Sequence, residues 1–366
     1  MNYLLYYFTG TGNSWRAVKL IGKSVEEAGH SCQIRKIEPG TAPPGVSDSF
    51  DRLVLVFPVY SFAPPNIVKQ FIRRIGSTPE ELRNRFGSAQ IPTAVLTIDG
   101  GDGIRACSRS RRMLSRRGCS VFLTSRAGYG NNWRQMMNPP GPEKLPGMTA
   151  EGDQAVLSFS GKLIGNETGH YQVSRFSTLW SGLTAALFTL IGRRMLALYF
   201  TADEDCTSCG LCARSCPVQA IRMVPAASSF PAHQNLHEPG EEYFVPEWKQ
   251  KCESCNRCIN ICPVGAINTS IGRMFLSILM ILLISVLLLR FFQSSVLTVM
   301  SGRIFEFPLL LILIRMGLIL AAHFITLFLM NPLCRLLCRI PGMRSLMTKS
   351  FNKRFRQYHA EGFKVQ

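Results

Sequence analysis

Residues 6–22 read YYFTGTGNSWRAVKLIG, and the fold turns on how that stretch is read. The run leading into it, MNYLLYYF at 1–8, is short and apolar, the composition of a central parallel strand buried on both faces. From Trp15 to Ala28 the apolar residues Trp15, Val18, Leu20, Ile21 and Val25 recur at helical spacing. Thr9–Ser14 therefore lies where a strand ends and a helix begins, so the free first-turn amides and the helix dipole can receive an anion. Three phosphate loops compete for this junction. A P-loop needs Gly-Lys-Ser/Thr, and no lysine occurs before Lys19, which excludes it. The Rossmann fingerprint would start at Gly10 and Gly12 but meets Trp15 where its third glycine belongs. What remains is Thr9-Gly10-Thr11-Gly12-Asn13-Ser14, hydroxyls and glycines without a cation. Such a loop can surround one terminal phosphate with neutral donors; an ordinary glycine-rich turn is the competing reading.

Four further strands are expected at Gln33–Ile37, Arg52–Phe57, Thr93–Ile98 and Ser120–Ala127, with helices between them. The pattern predicts an α/β domain with a doubly wound, five-stranded parallel sheet. In such sheets ligands bind beyond the carboxyl ends of the strands. The loops found there have suitable composition. PVYSFAPP (58–65) offers Pro58, Tyr60 and Phe62; DGGDG (99–103) offers Gly100 and Gly101; GYGNNWRQ (128–135) offers Tyr129 and Trp133. The glycines let backbone approach a flat ring, and the aromatics are candidates to stack on it or simply to anchor their loops.

The chain has 13 cysteines, and eight of them fall into two matching runs. CTSCGLCARSCP (206–217) and CESCNRCINICP (252–263) are both C-x2-C-x2-C-x3-C-P. In bacterial two-cluster ferredoxins three closely spaced thiolates of each run hold one cluster and the fourth reaches the other. That assigns Cys206, Cys209, Cys212 and Cys262 to cluster one, and Cys252, Cys255, Cys258 and Cys216 to cluster two. PVQAI (217–221) and PVGAI (263–267) extend the repeat. Structural zinc is the competing reading, but it has no use for a duplicated four-cysteine run ending in Cys-Pro. His233 and His237 lie in a polar insert, VPAASSFPAHQNLHEPGEE, and read as solvated loop residues.

Charge is unevenly distributed within the overall +18. Residues 1–150 and 271–366 each carry a net +10, whereas 201–270 carry −3. Met274–Phe292 and Phe307–Met330 are apolar runs of about the 20 residues needed to span a bilayer. The tail beyond them is rich in Arg and Lys, so both termini and the cofactor domains are expected on the cytoplasmic side of a multi-pass protein of the cell (inner) membrane. Met1 leads straight into a strand-like run, so no secretory signal is expected. Leu179–Phe200 is a further apolar stretch, but Arg193 and Arg194 favour an interfacial or linking helix. Arg315 and His323 share one face of the second span; helix pairing is favoured over proton or quinone handling. Cys334 and Cys338 read as buried thiols, and Cys32, Cys107 and Cys119 as core. The basic run RACSRSRRMLSRRG (105–118) reads as a solvated face or a docking site for an acidic redox protein; nucleic acid is not expected as a partner.

The opening loop resembles the T-x-T-G-x-T/S loop with which flavodoxins hold the phosphate of FMN. Taken with FPVYSFAPP (57–65), the GGDG turn and both cysteine runs, residues 1–270 resemble the EFR1-type flavodoxin–ferredoxin fusion family of anaerobic bacteria and archaea. KRFRQYHAEGF (353–363) also resembles that family's tail. The chain departs from the pattern by inserting two spans before the tail, and its flavodoxin-like part is basic where free flavodoxins are usually acidic. The resemblance implies two cofactor types, FMN and two [4Fe-4S] clusters of the bacterial 2[4Fe-4S] ferredoxin kind, and electron transfer as the activity class. It implies FMN contacts from Thr9 to Ser14, Pro58, Tyr60, Phe62, Gly100, Gly101, Tyr129 and Trp133, and no catalytic acid or base.

The expected domains are a flavodoxin-like domain (1–165), an amphipathic linker helix (166–200), a ferredoxin domain (201–270), two transmembrane helices (271–332) and a basic tail (333–366). The expected function is a membrane-anchored flavo-iron-sulfur electron carrier or oxidoreductase. It would couple a soluble redox protein, an acidic ferredoxin or flavoprotein, to another partner; the bilayer admits a quinone, although no quinone site is legible. A conducting anchor subunit of a larger complex and a redox sensor are the competing classes.

Overall fold

In the computed structural model, which describes residues 1–45, 48–76, 86, 90–100, 104–171, 175–226, 243–299, 308–340 and 342–364, the apolar N-terminal run is strand β1 (Asn2–Tyr7). Its side chains alternate between two cores. Tyr3 and Leu5 point into one, Leu4 and Tyr6 into the other, and all four are at most 1% exposed. A strand buried on both faces needs no polar side, which is why the run is continuously apolar.

Helix α1 (Asn13–Glu27) follows, starting two residues earlier than its apolar pattern. Gly12, at φ 106°, turns the chain into the helix in a conformation that a Cβ would oppose. Then come β2 (Ser31–Lys36), β3 (Arg52–Pro58), α2 (Asn66–Arg74), β4 (Ile91–Asp99), α3 (Ile104–Ser115), β5 (Cys119–Gly128) and α4 (Leu145–Ile164). The five strands form one parallel sheet in the order β2-β1-β3-β4-β5. This is the flavodoxin-like order, with its topological switch between β1 and β3. β2 begins earlier than the sequence suggests because its ladder with β1 starts at Asn2↔Ser31. As an edge strand it keeps polar residues on its open face.

α1 and α4 cover one face of the sheet through Ala17, Val18, Ile21, Val25, Val156, Phe159 and Leu163. The other face receives α2 and α3 and then continues without interruption into the cysteine-rich module. Val68, Phe71 and Ile72 belong to the same buried cluster as Phe200, Trp248, Ile259 and five of the paired-motif cysteines, with Cys216 packed against it. The two modules therefore share a core; they are not beads on a linker.

Helix α5 (Arg175–Leu187), a π-helical turn (Phe188–Gly192) and α6 (Arg193–Tyr199) lead into that module. It consists of β6 (Phe200–Ala202), α7 (Leu211–Arg214), β7 (Ile221–Pro225), β8 (Phe244–Trp248), α8 (Arg257–Ile261) and β9 (Ile267–Thr269). β6 pairs antiparallel with β9, and β7 with β8, so each cysteine run is flanked by a short two-stranded ribbon. His233 and His237 lie outside the described residues.

α9 (Ile271–Val299) and α10 (Pro308–Leu337) form an apolar pair, longer than their hydrophobic runs at both outer ends. Phe275, Leu282, Phe291, Leu309, Met316 and Phe328 are each at least 60% exposed, an apolar surface that water would not tolerate at this extent. Among the described residues three helical stretches are long and apolar enough to cross a membrane: Ser181–Tyr199, Ile271–Ser294 and Leu309–Leu337. The first differs from the others in packing. Met195 and Leu198 are buried against Leu327, Met330 and Cys334, beside Leu276 and Met280. α11 (Met343–Thr348) closes this cluster with Met347, and the Ile271 amide donates to the Lys349 carbonyl at 2.9 Å. The start of α9 and the tail thus meet at the end of the helix pair that packs against the cysteine-rich module.

Candidate functional site

At the carboxyl end of β1 the Thr9–Ser14 loop folds against itself. The Gly12 amide donates to Thr9 Oγ1 at 3.0 Å, and Asn132 Nδ2 donates to Thr11 Oγ1. The first-turn amides of α1 have no partners within the helix. Ser14 Oγ is buried and unpartnered, although buried hydroxyls are almost always satisfied. Thr9, Gly10, Thr11, Asn13 and Ser14 form one end of a cavity of about 550 Å³. That size falls within the range of small-molecule sites.

The other walls come from three places. Pro58, Tyr60, Ser61 and Phe62 follow β3, in a tight turn closed by the Tyr60 amide on the Ala63 carbonyl at 2.9 Å. Ser61 and Phe62 take the left-handed conformation there, at φ 48° and 63°. Gly100, Asn131, Asn132, Trp133 and Met137 follow β4 and β5. Phe188 enters from the π-helical turn, and Ser254, Cys255 and Asn256 enter from the second cysteine run. The Tyr60 hydroxyl is another buried, unpartnered polar atom, and its burial raises the phenol pKa well above the ordinary value. Two orphaned hydroxyls, neutral donors and flanking aromatics fit a flat heteroaromatic phosphate ester.

Most of the residues singled out in the sequence converge on this cavity, with three departures. Tyr129 is not one of its walls: it is 2% exposed under α4, where its hydroxyl donates to Asp153 Oδ1 at 2.8 Å. Gly152 makes room for that ring, since a Cβ there would stand 2.7 Å from it. Gly12 acts from behind the loop. A Cβ at Gly12 would lie 2.7 Å from Phe363 and 2.8 Å from Ala360. Gly101 lies outside the described residues.

The two cysteine runs repeat each other down to the backbone. Ser208 and Ser254, Gly210 and Asn256, and Gln219 and Gly265 all have positive φ, between 52° and 68°. Each loop therefore turns at equivalent points, and Cys252, Cys255 and Cys258 line one small cavity together with Cys216. Burial raises the thiols of Cys206 and Cys212, and each also lies in the field of Cys262. Burial likewise raises Cys252, Cys255 and Cys258, and each also feels Cys216. The fourth cysteine of each run thus approaches the other run. Among the described residues no three His, Cys, Asp or Glu side chains are close enough to hold a single metal ion. Cys209 is the exposed member of its group.

What holds the cavity against the cysteine module is Arg257, a residue that the sequence reading passed over. The residue is 3% exposed. It donates to the Thr9 carbonyl at 2.7 Å, to the Gly10 carbonyl at 2.6 Å and to the Ser215 carbonyl at 2.8 Å. One side chain therefore ties the hydroxyl-rich loop to both cysteine runs. Its contact with the Phe363 ring, 5.4 Å to the centroid, adds less than the hydrogen bonds do. Glu253 makes a second clasp, accepting the Asn66 and Ile67 amides at 2.9 Å each and so capping α2. The tail makes a third. The Ala360 amide donates to the Thr11 carbonyl at 2.8 Å, and the Tyr358 hydroxyl to Asn13 Oδ1 at 2.8 Å. Gln357 Nε2 donates to the Cys262 carbonyl at 2.7 Å.

Arg257→Met leaves three buried carbonyls without donors, at about 1–3 kcal/mol each. The expected outcome is faster amide hydrogen exchange in Thr9–Ser14 and weaker ligand retention in the cavity, with iron content unchanged. Unaltered exchange in that loop would show that Arg257 is not the clasp.

Several other residues are placed away from the cavity. His323 is half-buried, with Nδ1 2.8 Å from the Ile319 carbonyl, and Arg315 is exposed on α10. Cys334 is fully buried with Met330 and Met347, and Cys338 lies one turn on, packed against the same group. Cys107 and Cys119 are core, whereas Cys32 is only half-buried.

Residues 205–267 match the family described as a 4Fe-4S dicluster domain. No curated protein matches the chain. Over 43% of its length the chain aligns with 99% of a flavodoxin from the domain Archaea, at 11% identity and a TM-score of 0.27. It aligns over 43% with 99% of the two-electron reduced Megasphaera elsdenii flavodoxin, at 18% identity and a TM-score of 0.28. Oxidised Flavodoxin 2 from Bacillus cereus aligns over 99% of its own length and 44% of this chain, at 14% identity and a TM-score of 0.29. The fold itself rests on the strand order given above, independently of these alignments. The chain joins a flavodoxin-like sheet to a dicluster domain for two [4Fe-4S] clusters.

Proposed function

We propose that this is a membrane-anchored electron-transfer protein of the EFR1-like flavodoxin–ferredoxin type, with FMN in the cavity beside Thr9–Ser14. The observation that carries the reading is Cys255, a cysteine of the second run that is also a wall of that cavity. When bound, FMN supplies one- or two-electron chemistry and the clusters supply one-electron chemistry. The residues of the chain bind, orient and insulate. Thr9, Thr11, Ser14 and the first-turn amides of α1 hold the phosphate; Tyr60, Phe62 and Trp133 flank the ring. Cys252, Cys255, Cys258 and Cys216 hold the cluster next to the cavity; Cys206, Cys209, Cys212 and Cys262 hold the outer one. Arg257 fixes the spacing between the loop and the proximal cysteines.

The exposed edge at Cys209 suits a soluble redox protein. At the other end Trp133 and Met137 are 36% and 46% exposed at the rim of the cavity. Phe188 brings to that rim the helix that packs on the α9–α10 pair, which favours a bilayer quinone as the partner there. The chain is read with its cofactor modules and tail on the cytoplasmic side, following its basic tail.

The test is anaerobic rapid mixing of the purified full chain with a low-potential reductant. Flavin reduction should follow cluster reduction at a rate independent of protein concentration, because both sit in one chain. A rate proportional to protein concentration would mean that the flavin and clusters exchange electrons only between molecules.

A further inference from the structure

A second concave site lies away from the cavity and the cysteines. Arg105, Arg109, Arg112 and Arg116 recur at i, i+4, i+7 and i+11, one face of α3 and its final turn. With Arg73 and Arg117 they line a groove of about 1080 Å³. Among the described residues no acidic side chain lines it. Like charges four apart weaken a helix, so this stripe is not explained by the stability of α3. Burial lowers the Arg105 pKa, and the neighbouring charges of Arg109 and Arg112 lower it further. The concentrated positive field would be relieved by an anion.

The opposite wall is of another kind. Gly182, Leu183 and Ala186 of α5 form it. Gly182 lets the Arg105 guanidinium lie against the helix, and Arg105 donates to Ser181 Oγ at 3.0 Å. Leu183, Leu187 and Leu190 are each about half exposed on the same helical stretch. Further along, that stretch packs on α9 and α10 through Met195 and Leu198. The groove therefore has a cationic wall and an aliphatic wall, and the aliphatic wall is continuous with the membrane-length helices.

We propose that this groove binds the phosphate headgroups of anionic phospholipids, with the arginines on the phosphate and the leucines among the first acyl carbons. The proposal rests on the membrane-anchored reading above. Guanidinium groups suit phosphate because they donate in pairs to its oxygens. A stripe of them at the edge of a bilayer draws on the negative potential of anionic lipid. An acidic redox protein would match the charge but not the leucine wall. The groove also shares no lining residue with the flavin-type cavity or with the cysteine loops.

The test titrates the full chain, in neutral detergent, with short-chain phosphatidylglycerol, short-chain phosphatidylcholine and inorganic phosphate, counting bound molecules by native mass spectrometry. Phosphatidylglycerol should bind at least tenfold more tightly than either of the others. The Arg109→Gln/Arg112→Gln/Arg116→Gln variant should lose that preference, while the corresponding Lys variant, which keeps the charge but not the paired donation, retains part of it; iron content verifies that both are folded. Equal binding of the two lipids would overturn the proposal, as would a preference that survives in the Gln variant. Inorganic phosphate binding as tightly as phosphatidylglycerol would make this a free-phosphate site instead. Loss of reduction by an acidic ferredoxin in the Gln variant, with lipid preference intact, would make it a protein dock. Flotation of the wild-type chain with phosphatidylcholine liposomes tests membrane anchoring separately, since it does not depend on the arginines.

Discussion

Cys216→Ala is expected to cut the iron content from about eight atoms per chain to about four, and the lost cluster is the one beside the flavin-type cavity. Sequence proximity alone predicts something else, because Cys216 belongs to the run at 206–216. The reason for the crossed outcome is spatial. Cys216 lies in the field of Cys252, Cys255 and Cys258, while Cys262 lies in that of Cys206 and Cys212. Cys262→Ala should therefore give the same iron content with the opposite cluster missing. The two variants separate on a functional readout. Without the proximal cluster, flavin reduction from the cysteine module should fall by several orders of magnitude. Without the outer cluster, exchange between the flavin and the remaining cluster should persist and reduction by an external ferredoxin should fail. Electron paramagnetic resonance of the reduced variants identifies which cluster remains. If Cys216→Ala left rapid flavin–cluster exchange intact, each run would be holding its own cluster and the crossed assignment would be wrong.

The second large effect is expected at Gly12. Its φ of 106° is a conformation that costs an L-residue about 1–2 kcal/mol. A Cβ would also press on Phe363 and Ala360 at under 3 Å, with Phe363 held against Trp15 at 5.7 Å between ring centroids. Gly12→Ala must then either displace the tail or move the loop forward, and the Ala360 amide to Thr11 carbonyl bond opposes their separation. Either movement disturbs the first-turn amides and Ser14. FMN affinity should drop about a hundredfold, equivalent to about 2.7 kcal/mol. Cluster content should be normal, because Gly12 touches neither cysteine run. Fluorescence titration of the flavin-depleted protein measures the first, and iron assay the second. A variant that binds FMN as tightly as the wild type would show that the tail and the loop are not coupled through this glycine.

Much of this architecture could be read from local pattern. MNYLLYYF identifies a strand because a doubly buried strand has no polar face, and the strand count followed from runs of the same kind, whereas the order β2-β1-β3-β4-β5 is set by tertiary pairing. The cysteine repeat was legible because ligand spacing is a local property, and the matched positive-φ positions show why both runs tolerate Ser, Gly or Asn at the same points. What stayed hidden depends on docking. Arg257 reaches Gly10 across a separation of 247 residues, and nothing in N-R-C distinguishes a clasp from a surface arginine. Phe188 reads as one more apolar residue of a helix; a π-helical turn, which shifts side-chain direction, carries it to the cavity rim. Tyr129 and Trp133 looked equivalent in GYGNNWRQ. Only the gap at Gly152 shows that the first goes under α4 and leaves the second at the cavity. The role of the tail was likewise beyond local reading, because the tail is separated from the loop it supports by the α9–α10 pair.

The joining of a flavin site and two clusters in one chain is tested most directly by cofactor analysis of the full chain, purified anaerobically in detergent. Acid-released flavin, iron and sulfide are measured per chain. The account predicts about one FMN with about eight irons and eight sulfides, as two four-iron clusters require. Eight irons without flavin would contradict it: the cavity at Thr9–Ser14 would then hold something other than FMN, and the chain would be a membrane-tethered iron–sulfur protein.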